Sequence, residues 1–475
     1  MDRIDGPNIE REEGPALNAS SSTVRNPWDD SVVGTAALGG LEEAEEAIET
    51  CLRGFQVSRA LPSFERAASL ESISRGIQSR REEFAQLITR EVGKPIQFSR
   101  NEVDRAVGTF QIAAEESKRV GGETLPLDMT ETARNRFGVV RRFPIGIVLC
   151  ISPFNFPLNL VAHKVAPAMA AGNAFIIKPP PQAPLTGLKL AELIETSGYP
   201  REACRVLPCS NEVASKLVED SRIKMVSFTG SPAVGWMLKS RAGKKKVLLE
   251  LGGNAGVIID ESADLDDAVR KNIVGSFLFA GQVCIKIQRI YVHKKRFEEY
   301  RSKFVSAAGN IRAGDPQEPS TLLGPMVDDA AAERVSGWIA EAVRSGAQLR
   351  AGGTRRGRLL DPTVLENVGR STNLFGKEVF GPVVTLSSFE SIEQAVQDVN
   401  DSVFGLQAGI FSNNHRNILY AYNHLDVGAL IVNDNPTFRV DSMPYGGVKD
   451  SGFGREGIRY AIDEMTEPKL LVLGA

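Results

Sequence analysis

The chain of 475 residues is 42% hydrophobic and 24% charged, with 44 glycines and 25 prolines spread along it, a soluble globular composition that excludes disorder, collagen and disulfide scaffolds. At ~150 residues per domain it has room for about three compact units, or for two large ones with an appendage. With 56 Lys plus Arg against 59 Asp plus Glu, the net charge of −3 offers no global basic field to nucleic acid or to an anionic membrane.

The N-terminal MDRIDGPNIEREEGP mixes both charges without an apolar segment, so no secretory signal is expected, and no run approaches the ~18 apolar residues of a membrane helix. Residues 1 to about 22 read as a polar arm, with order beginning near Val24-Arg25-Asn26-Pro27. The next hundred residues alternate helical patterns with breakers, as in LEEAEEAIETCLRGF and the amphipathic run from Ser63 to Val92.

From Gly146 the pattern changes. GIVLCISP and AFIIKP are short apolar runs around the helical stretch VAHKVAPAMAAGN, and CRVLPC, NEVASKLVED, MVSFT and VLLELGG continue the alternation. Strand, helix, strand at this spacing predicts a buried parallel sheet with crossover helices, an α/β fold. A second α/β unit begins after Gly253 with NAGVIID, a helix face bearing Leu265, Val269, Ile273 and Phe277, and IQRIYVH. The extended runs in GETLPLDMTETARNRFGVVRRF and the closing MTEPKLLVL have little core pattern of their own, so they read as an assembly arm.

Five cysteines, at 51, 150, 204, 209 and 284, are odd in number and scattered, which points to free thiols in a reducing compartment, the cytoplasm by default. The four histidines, at 163, 293, 415 and 424, form no metal-ligand spacing, so no protein-bound metal is expected.

Cys284 in FAGQVCIKIQ sits where a helical pattern gives way to a strand through Gly281, so it reads either as a nucleophile or as a small buried hydrophobe. Glu250 ends the apolar run VLLE before two glycines, a position open to a movable general base or to a strand-end surface charge. Asn155 in SPFNFP is an oxyanion donor or a turn former. Gly230 and Gly235 in SFTGSPAVG follow a strand and open a helix, where free backbone N–H groups receive phosphate or simply make a turn.

Together these segments are no longer independent. ISPFNFPLNL, FIIKPPPQAPLT, FTGSPAVG, LELGGNAGV, GQVC, EVFGPVV and NDNPTFRVDSMPYGGVKDSGFGREG stand in the order and spacing of the aldehyde dehydrogenase superfamily, which the chain resembles from about Asn26 to its end. The resemblance implies a Rossmann-type cofactor domain, an α/β catalytic domain and a small β oligomerisation arm. It assigns the nucleophile to Cys284, the deacylating base to Glu250, and the oxyanion hole to Asn155 with the Cys284 N–H. For NAD or NADP it assigns Lys178 to the adenosine ribose, Gly230 and Ser231 to the pyrophosphate, Glu378 to the nicotinamide ribose and Phe380 to the ring edge.

The chain departs from the pattern at Pro181, where many relatives carry a glutamate three residues after the lysine of the KP motif. Losing that carboxylate removes a hydrogen bond to NAD and a charge barrier to NADP, so both are expected to bind, with Lys178 tilting the preference toward NADP. The resemblance also places Arg105, His163, Lys286, Arg439 and Tyr445 around the aldehyde tunnel. Cations there favour a short aldehyde with an anionic or hydroxylated tail over a long alkyl chain.

The expected enzyme is therefore an NAD(P)-dependent aldehyde dehydrogenase releasing a free acid. The alternatives are a CoA-acylating relative, against which Glu250 argues, and a catalytically silent binding protein, against which the joint presence of Cys284, Glu250, Asn155, Lys178 and Glu378 argues. The expected division is a cofactor domain of residues 1–120 and 145–252, a catalytic domain of 253–455, and an arm of 121–144 plus 456–475, with a homodimer or homotetramer formed through the arm.

Overall fold

The computed structural model describes residues 21–474, so the polar arm expected over 1 to about 22 lies outside the described residues except for its last two. The first ordered element is a hairpin the sequence pattern did not signal, Ser21–Arg25 paired antiparallel with Val32–Ala37. Helices Leu41–Ser58, Ser63–Ser79, Arg81–Val92 and Ile96–Ser117 follow. Each presents apolar residues at helical spacing to one continuous core: Ala44, Ile48 and Cys51 from the first, Leu70, Ile73 and Ile77 from the second.

The first sheet has six strands. Its order is Gly452–Phe453, Lys246–Glu250, Ile223–Thr229, Ile147–Ile151, Ala174–Lys178 and Cys204–Val206, all parallel except the short first strand. Strands Ile147–Ile151 and Ala174–Lys178 are buried at every residue, which is why they read as unbroken apolar runs: helices cover both faces. Glu250, Lys178 and Thr229 all stand at carboxyl ends of these strands, where ligands bind in open α/β sheets.

The second sheet has seven strands in the order Gln348–Ala351, Thr363–Glu366, Val383–Phe389, Arg289–His293, Gly256–Ile259, Gln407–Phe411 and Ala429–Val432, with only the first antiparallel. Its two faces are buried under separate apolar clusters, one with Leu265, Tyr300 and Phe304 and one with Val396, Val399 and Ala421.

The third sheet is antiparallel, with Thr466–Gly474 against Arg136–Pro144 and Arg136–Pro144 against Gly122–Pro126. Residues 456–475 divide between two places: the helix Ile458–Glu464 buries Ile458 and Ile462 in the first core, and only the strand from Thr466 joins this ribbon. Phe137, Leu470, Leu471, Val472 and Leu473 are exposed along the ribbon.

Candidate active site

Cys284 lies in the loop 282–288 between the turn Leu278–Gly281 and the strand Arg289–His293. In that turn Phe279 and Ala280 take left-handed backbones, φ 49° and 52°, and Gly281 follows at φ 67°. A Cβ at Gly281 would stand 2.2 Å from the Gly381 carbonyl oxygen, so this close approach requires glycine. Gln282 then fixes the loop. Its Nε2 donates to the carbonyls of Phe279 and Pro325 at 3.4 Å, its Oε1 accepts from Val327 N–H at 2.9 Å, and its carbonyl accepts from Asn155 Nδ2 at 3.0 Å. Gln282 thus ties Asn155 to the Cys284 loop, a role its neighbours in GQVC did not reveal.

Asn155 and Cys284 line one cavity of about 610 Å³ with Glu378, Phe380, Leu251 and Gly252. Phe380, at φ 45°, meets Phe154 edge-on with ring centres 6.0 Å apart. Glu378 Oε1 accepts from Gly253 N–H at 3.1 Å, and a Cβ on Gly252 would lie 2.4 Å from the Glu378 carboxylate. Burial pushes the Glu378 carboxyl up to about 7 against that hydrogen bond.

A second hollow of about 400 Å³ shares Pro153, Phe154, Thr229, Gly230 and Ser231 with the first, so the two form one cleft from Lys178 and Pro181 to Cys284. In the middle stands the N-terminus of the helix Pro232–Arg241, with Ser231 as a cap whose hydroxyl makes no capping bond and Pro232 at the first helical position. Among the described residues Lys178 is the only charged side chain lining the second hollow; it makes no side-chain hydrogen bond, and burial lowers its ammonium from the ordinary lysine value. Ser152 Oγ, also lining it, is buried without a partner. A free cation, free backbone donors at a helix N-terminus and an orphaned hydroxyl along one cleft fit a dinucleotide.

Glu250 is fully buried, and neither of its carboxyl oxygens has a hydrogen-bond partner. It packs against Gly446, where a Cβ would come within 2.8 Å of Oε1. Burial, then the neighbouring Glu456, raises it well above the usual carboxylate range. Burial alone would raise Glu456 too, but Lys164 and Arg439 outweigh it and hold Glu456 low, at about 2. Lys164 Nζ donates to Glu456 Oε1 at 2.9 Å and to Thr229 Oγ1 at 2.6 Å, wholly inside the protein. Removing one partner of such a pair costs ~3–5 kcal/mol.

The structure joins Arg105, His163, Arg439 and Tyr445 and gives their charges carboxylate partners. Asp441, unremarked in the sequence, accepts from Arg105 Nη2 at 2.6 Å and meets His163 Nε2 at 2.7 Å. Arg439 Nη2 donates to Glu456 Oε2 at 3.0 Å and lies 3.3 Å from His163 Nδ1, while its guanidinium carbon sits 3.6 Å from the Tyr445 ring centre. Burial, then Arg439, lowers His163 and favours its neutral form. Burial by itself would raise Asp441, but the His163 hydrogen bond and the Arg105 charge hold it well below the carboxylate range. These carboxylates exist because desolvated guanidinium groups need counter-ions. A signal was present: Asp441 is two residues after Arg439, and Glu456 stands in GREG.

Lys286 does not join the cluster, which corrects its assignment to the tunnel. Its Nζ donates to the Val383 carbonyl at 2.5 Å, and burial pushes its ammonium down to about 7, with Glu378 the charge that opposes this. Two residues along an irregular loop set no fixed direction, so proximity to Cys284 in sequence did not place this side chain beside the thiol.

The chain belongs to the aldehyde dehydrogenase family, whose sequence profile matches residues 16–471. It is an NAD(P)-dependent aldehyde dehydrogenase. It is 44% identical over 411 residues to the 3-sulfolactaldehyde dehydrogenase of Priestia megaterium, covering 86% of each chain. Aldehyde dehydrogenase 21 from Physcomitrella patens, solved in complex with the reaction product succinate, superposes with a TM-score of 0.95 at 42% identity, covering 97% of this chain and 96% of that one. The glyceraldehyde-3-phosphate dehydrogenase GapN of Methanocaldococcus jannaschii, complexed with NADP, superposes at 0.93 with 37% identity, over 97% of this chain and 100% of that one. Among the described residues no helix is long and apolar enough to cross a membrane, and no group of three or more His, Cys, Asp or Glu could hold a metal ion.

Proposed function

We propose that this enzyme oxidises a short aldehyde bearing one anionic group, a carboxylate or a sulfonate, to the free acid. The observation that carries this is the charge balance of the buried cluster. Three cations, Arg105, Lys164 and Arg439, face two carboxylates held ionised, Asp441 and Glu456, while Glu250 is driven toward its neutral form and His163 likewise. These cations outnumber their ion-paired carboxylates by one because Lys164 and Arg439 share Glu456, and Arg105, itself paired with Asp441 and with 31% of its side chain exposed, is the member of the cluster that reaches solvent. An anionic tail supplies the missing charge; an alkyl tail does not. Two relatives, one named for sulfolactaldehyde and one solved with the product succinate, agree with this class.

In this reading the Cys284 thiolate adds to the aldehyde carbon, and the resulting oxyanion accepts hydrogen bonds from Asn155 Nδ2 and the Cys284 N–H. The nicotinamide of NAD(P), when bound, supplies the hydride acceptor. Lys178 holds the adenosine ribose, Gly230 and Ser231 the pyrophosphate, and Glu378 the nicotinamide ribose beside Phe380. Glu250 then takes a proton from the water that cleaves the Cys284 thioester, releasing the acid and restoring the thiol. Its buried setting without a hydrogen-bond partner suits a base that must be near neutrality rather than strongly acidic. CoA-acylating chemistry has no need of that carboxyl.

Among the described residues no acidic side chain lines the Lys178 end, which supports use of NADP alongside NAD. The division into a cofactor unit (1–120 and 145–252), a catalytic unit (253–455) and an arm is supported by the separate sheets, with Gly452–Phe453 the exception that pairs with the first sheet. The exposed apolar residues of the arm support a homodimer or a dimer of dimers, and five free cysteines support a reducing, cytoplasmic setting.

The test is steady-state kinetics with succinic semialdehyde, glyceraldehyde 3-phosphate, lactaldehyde and hexanal, with both cofactors. The acidic aldehydes are expected to lead in kcat/KM; hexanal at the head of the ranking rejects the reading.

A further inference from the structure

Tyr445 Oη lies 3.3 Å from Cys284 Sγ, and among the described residues that sulfur is the only hydrogen-bond partner of the hydroxyl. The geometry points to Tyr445 as a catalytic residue that donates a hydrogen bond to the Cys284 thiolate and so raises the fraction of nucleophile present before the aldehyde binds. This rests on the reading of Cys284 as the nucleophile.

The thiol needs such help. Its surroundings push it up to about 11: burial first, opposed by the Tyr445 hydrogen bond, with Glu378 raising it, Arg439 lowering it and Glu250 raising it. Those are the charged and titratable groups that face it, from the loop bearing Glu378, the strand ending at Glu250 and the segment 439–445. Glu378 and Glu250 are both driven toward neutrality and donate no positive charge. The thiolate is therefore stabilised by one cation and one hydroxyl, and among the described residues only the hydroxyl lies within hydrogen-bond distance of the sulfur.

The hydroxyl is held by an arrangement with little freedom. Tyr445 N–H donates to the Glu456 carbonyl at 3.0 Å and Glu456 N–H to the Tyr445 carbonyl at 2.7 Å, a reciprocal bridge that fixes the tyrosine backbone. The Glu456 carboxylate anchors Arg439, whose guanidinium stacks 3.6 Å from the Tyr445 ring centre with 6% of its side chain exposed. A desolvated cation over the ring face draws electron density from the phenol and strengthens its O–H as a donor. Val283, Ile285 and Leu406 pack around the same ring, so it cannot swing away without opening that cluster. Burial keeps the phenol protonated, as a donor must be. On ionisation the thiol proton leaves to solvent and the phenol keeps its own.

The experiment is the pH dependence of Cys284 alkylation by iodoacetamide in the full-length enzyme, with the modified peptide identified by mass. Tyr445→Phe keeps the ring and removes only the donor. Its apparent thiol pKa is expected to rise by about one to two units, and the pre-steady-state burst of reduced cofactor at pH 7 to slow by about tenfold to hundredfold, with cofactor affinity unchanged. Incorporating 3,5-difluorotyrosine at position 445, a stronger donor of nearly the same shape, is expected to move the pKa the other way. It also keeps the question answerable if the phenylalanine variant does not fold. A profile that superimposes on the wild type in either variant overturns the inference. If Cys284→Ala retains activity, the reading of the nucleophile itself falls; if Cys284 is essential and the profile does not move, only the role of Tyr445 does.

Discussion

Asp441 holds Arg105 side-on across 336 positions of sequence, with Nη2 2.6 Å from Oδ1 and Nε 3.4 Å from Oδ2. The pair fixes the one cation of the cluster that reaches solvent, and it commits two of the guanidinium nitrogens while leaving Nη1 uncommitted. In the proposed function, substrate selection depends on a residue on the helix Ile96–Ser117 and on a counter-ion from the far end of the chain.

Arg105→Met is expected to lower kcat/KM for succinic semialdehyde by roughly tenfold to hundredfold, the worth of a charge-assisted hydrogen bond at ~1.5–3 kcal/mol. The value for hexanal should hold or rise. An equal loss for both aldehydes in parallel assays would assign Arg105 to structure instead.

Asp441→Asn bears on stability as well. A carboxyl held below its unfolded value of ~3.9 stabilises the fold above that pH, and the contribution is lost as pH falls toward the folded value. The urea midpoint of the wild type should therefore exceed that of the variant above about pH 5, and the gap should close as pH drops below ~4. A gap that widens in acid contradicts this sign.

Glu250→Gln should separate two chemical steps. Acylation of Cys284 needs no base at position 250, so about one reduced cofactor per site is expected in a rapid burst, followed by a slow steady state. Cys284→Ala should give neither phase while retaining cofactor binding. Stopped-flow absorbance at the reduced nicotinamide band distinguishes the two variants.

Pro181→Glu introduces a carboxylate where, among the described residues, Lys178 is the only charged lining residue. The ratio of kcat/KM for NADP to that for NAD is expected to fall by tenfold or more, because the carboxylate repels a 2′-phosphate and accepts from a free ribose hydroxyl. An unchanged ratio would mean that position 181 does not face the ribose.

Leu471→Asp, placed on the exposed strand Thr466–Gly474, is expected to shift light-scattering mass toward the monomer without altering the circular dichroism spectrum. A wild type that is already monomeric at micromolar concentration would remove the arm from any role in assembly.

Much of this protein was legible in its residues because the signals are local. Unbroken apolar runs such as IVLCI and AFIIK mean strands covered on both faces, and the glycines of FTGSPAVG and LELGG mark close approaches of backbone whatever surrounds them. The family resemblance picked out Cys284, Asn155, Lys178 and Glu378, which line one cleft, and Glu250, buried at the end of the strand Lys246–Glu250, since each lies in a short motif at the end of a strand or in a loop beside one. What the tertiary structure alone decided is where charges find their partners. Lys286 turned to the Val383 carbonyl, Arg105 and Arg439 acquired Asp441 and Glu456, and Gln282 bound Asn155 to the Cys284 loop. A buried ion must be neutralised by whichever group the packing brings within about 3 Å, and that group is set by the meeting of distant segments, so sequence spacing carries no record of it.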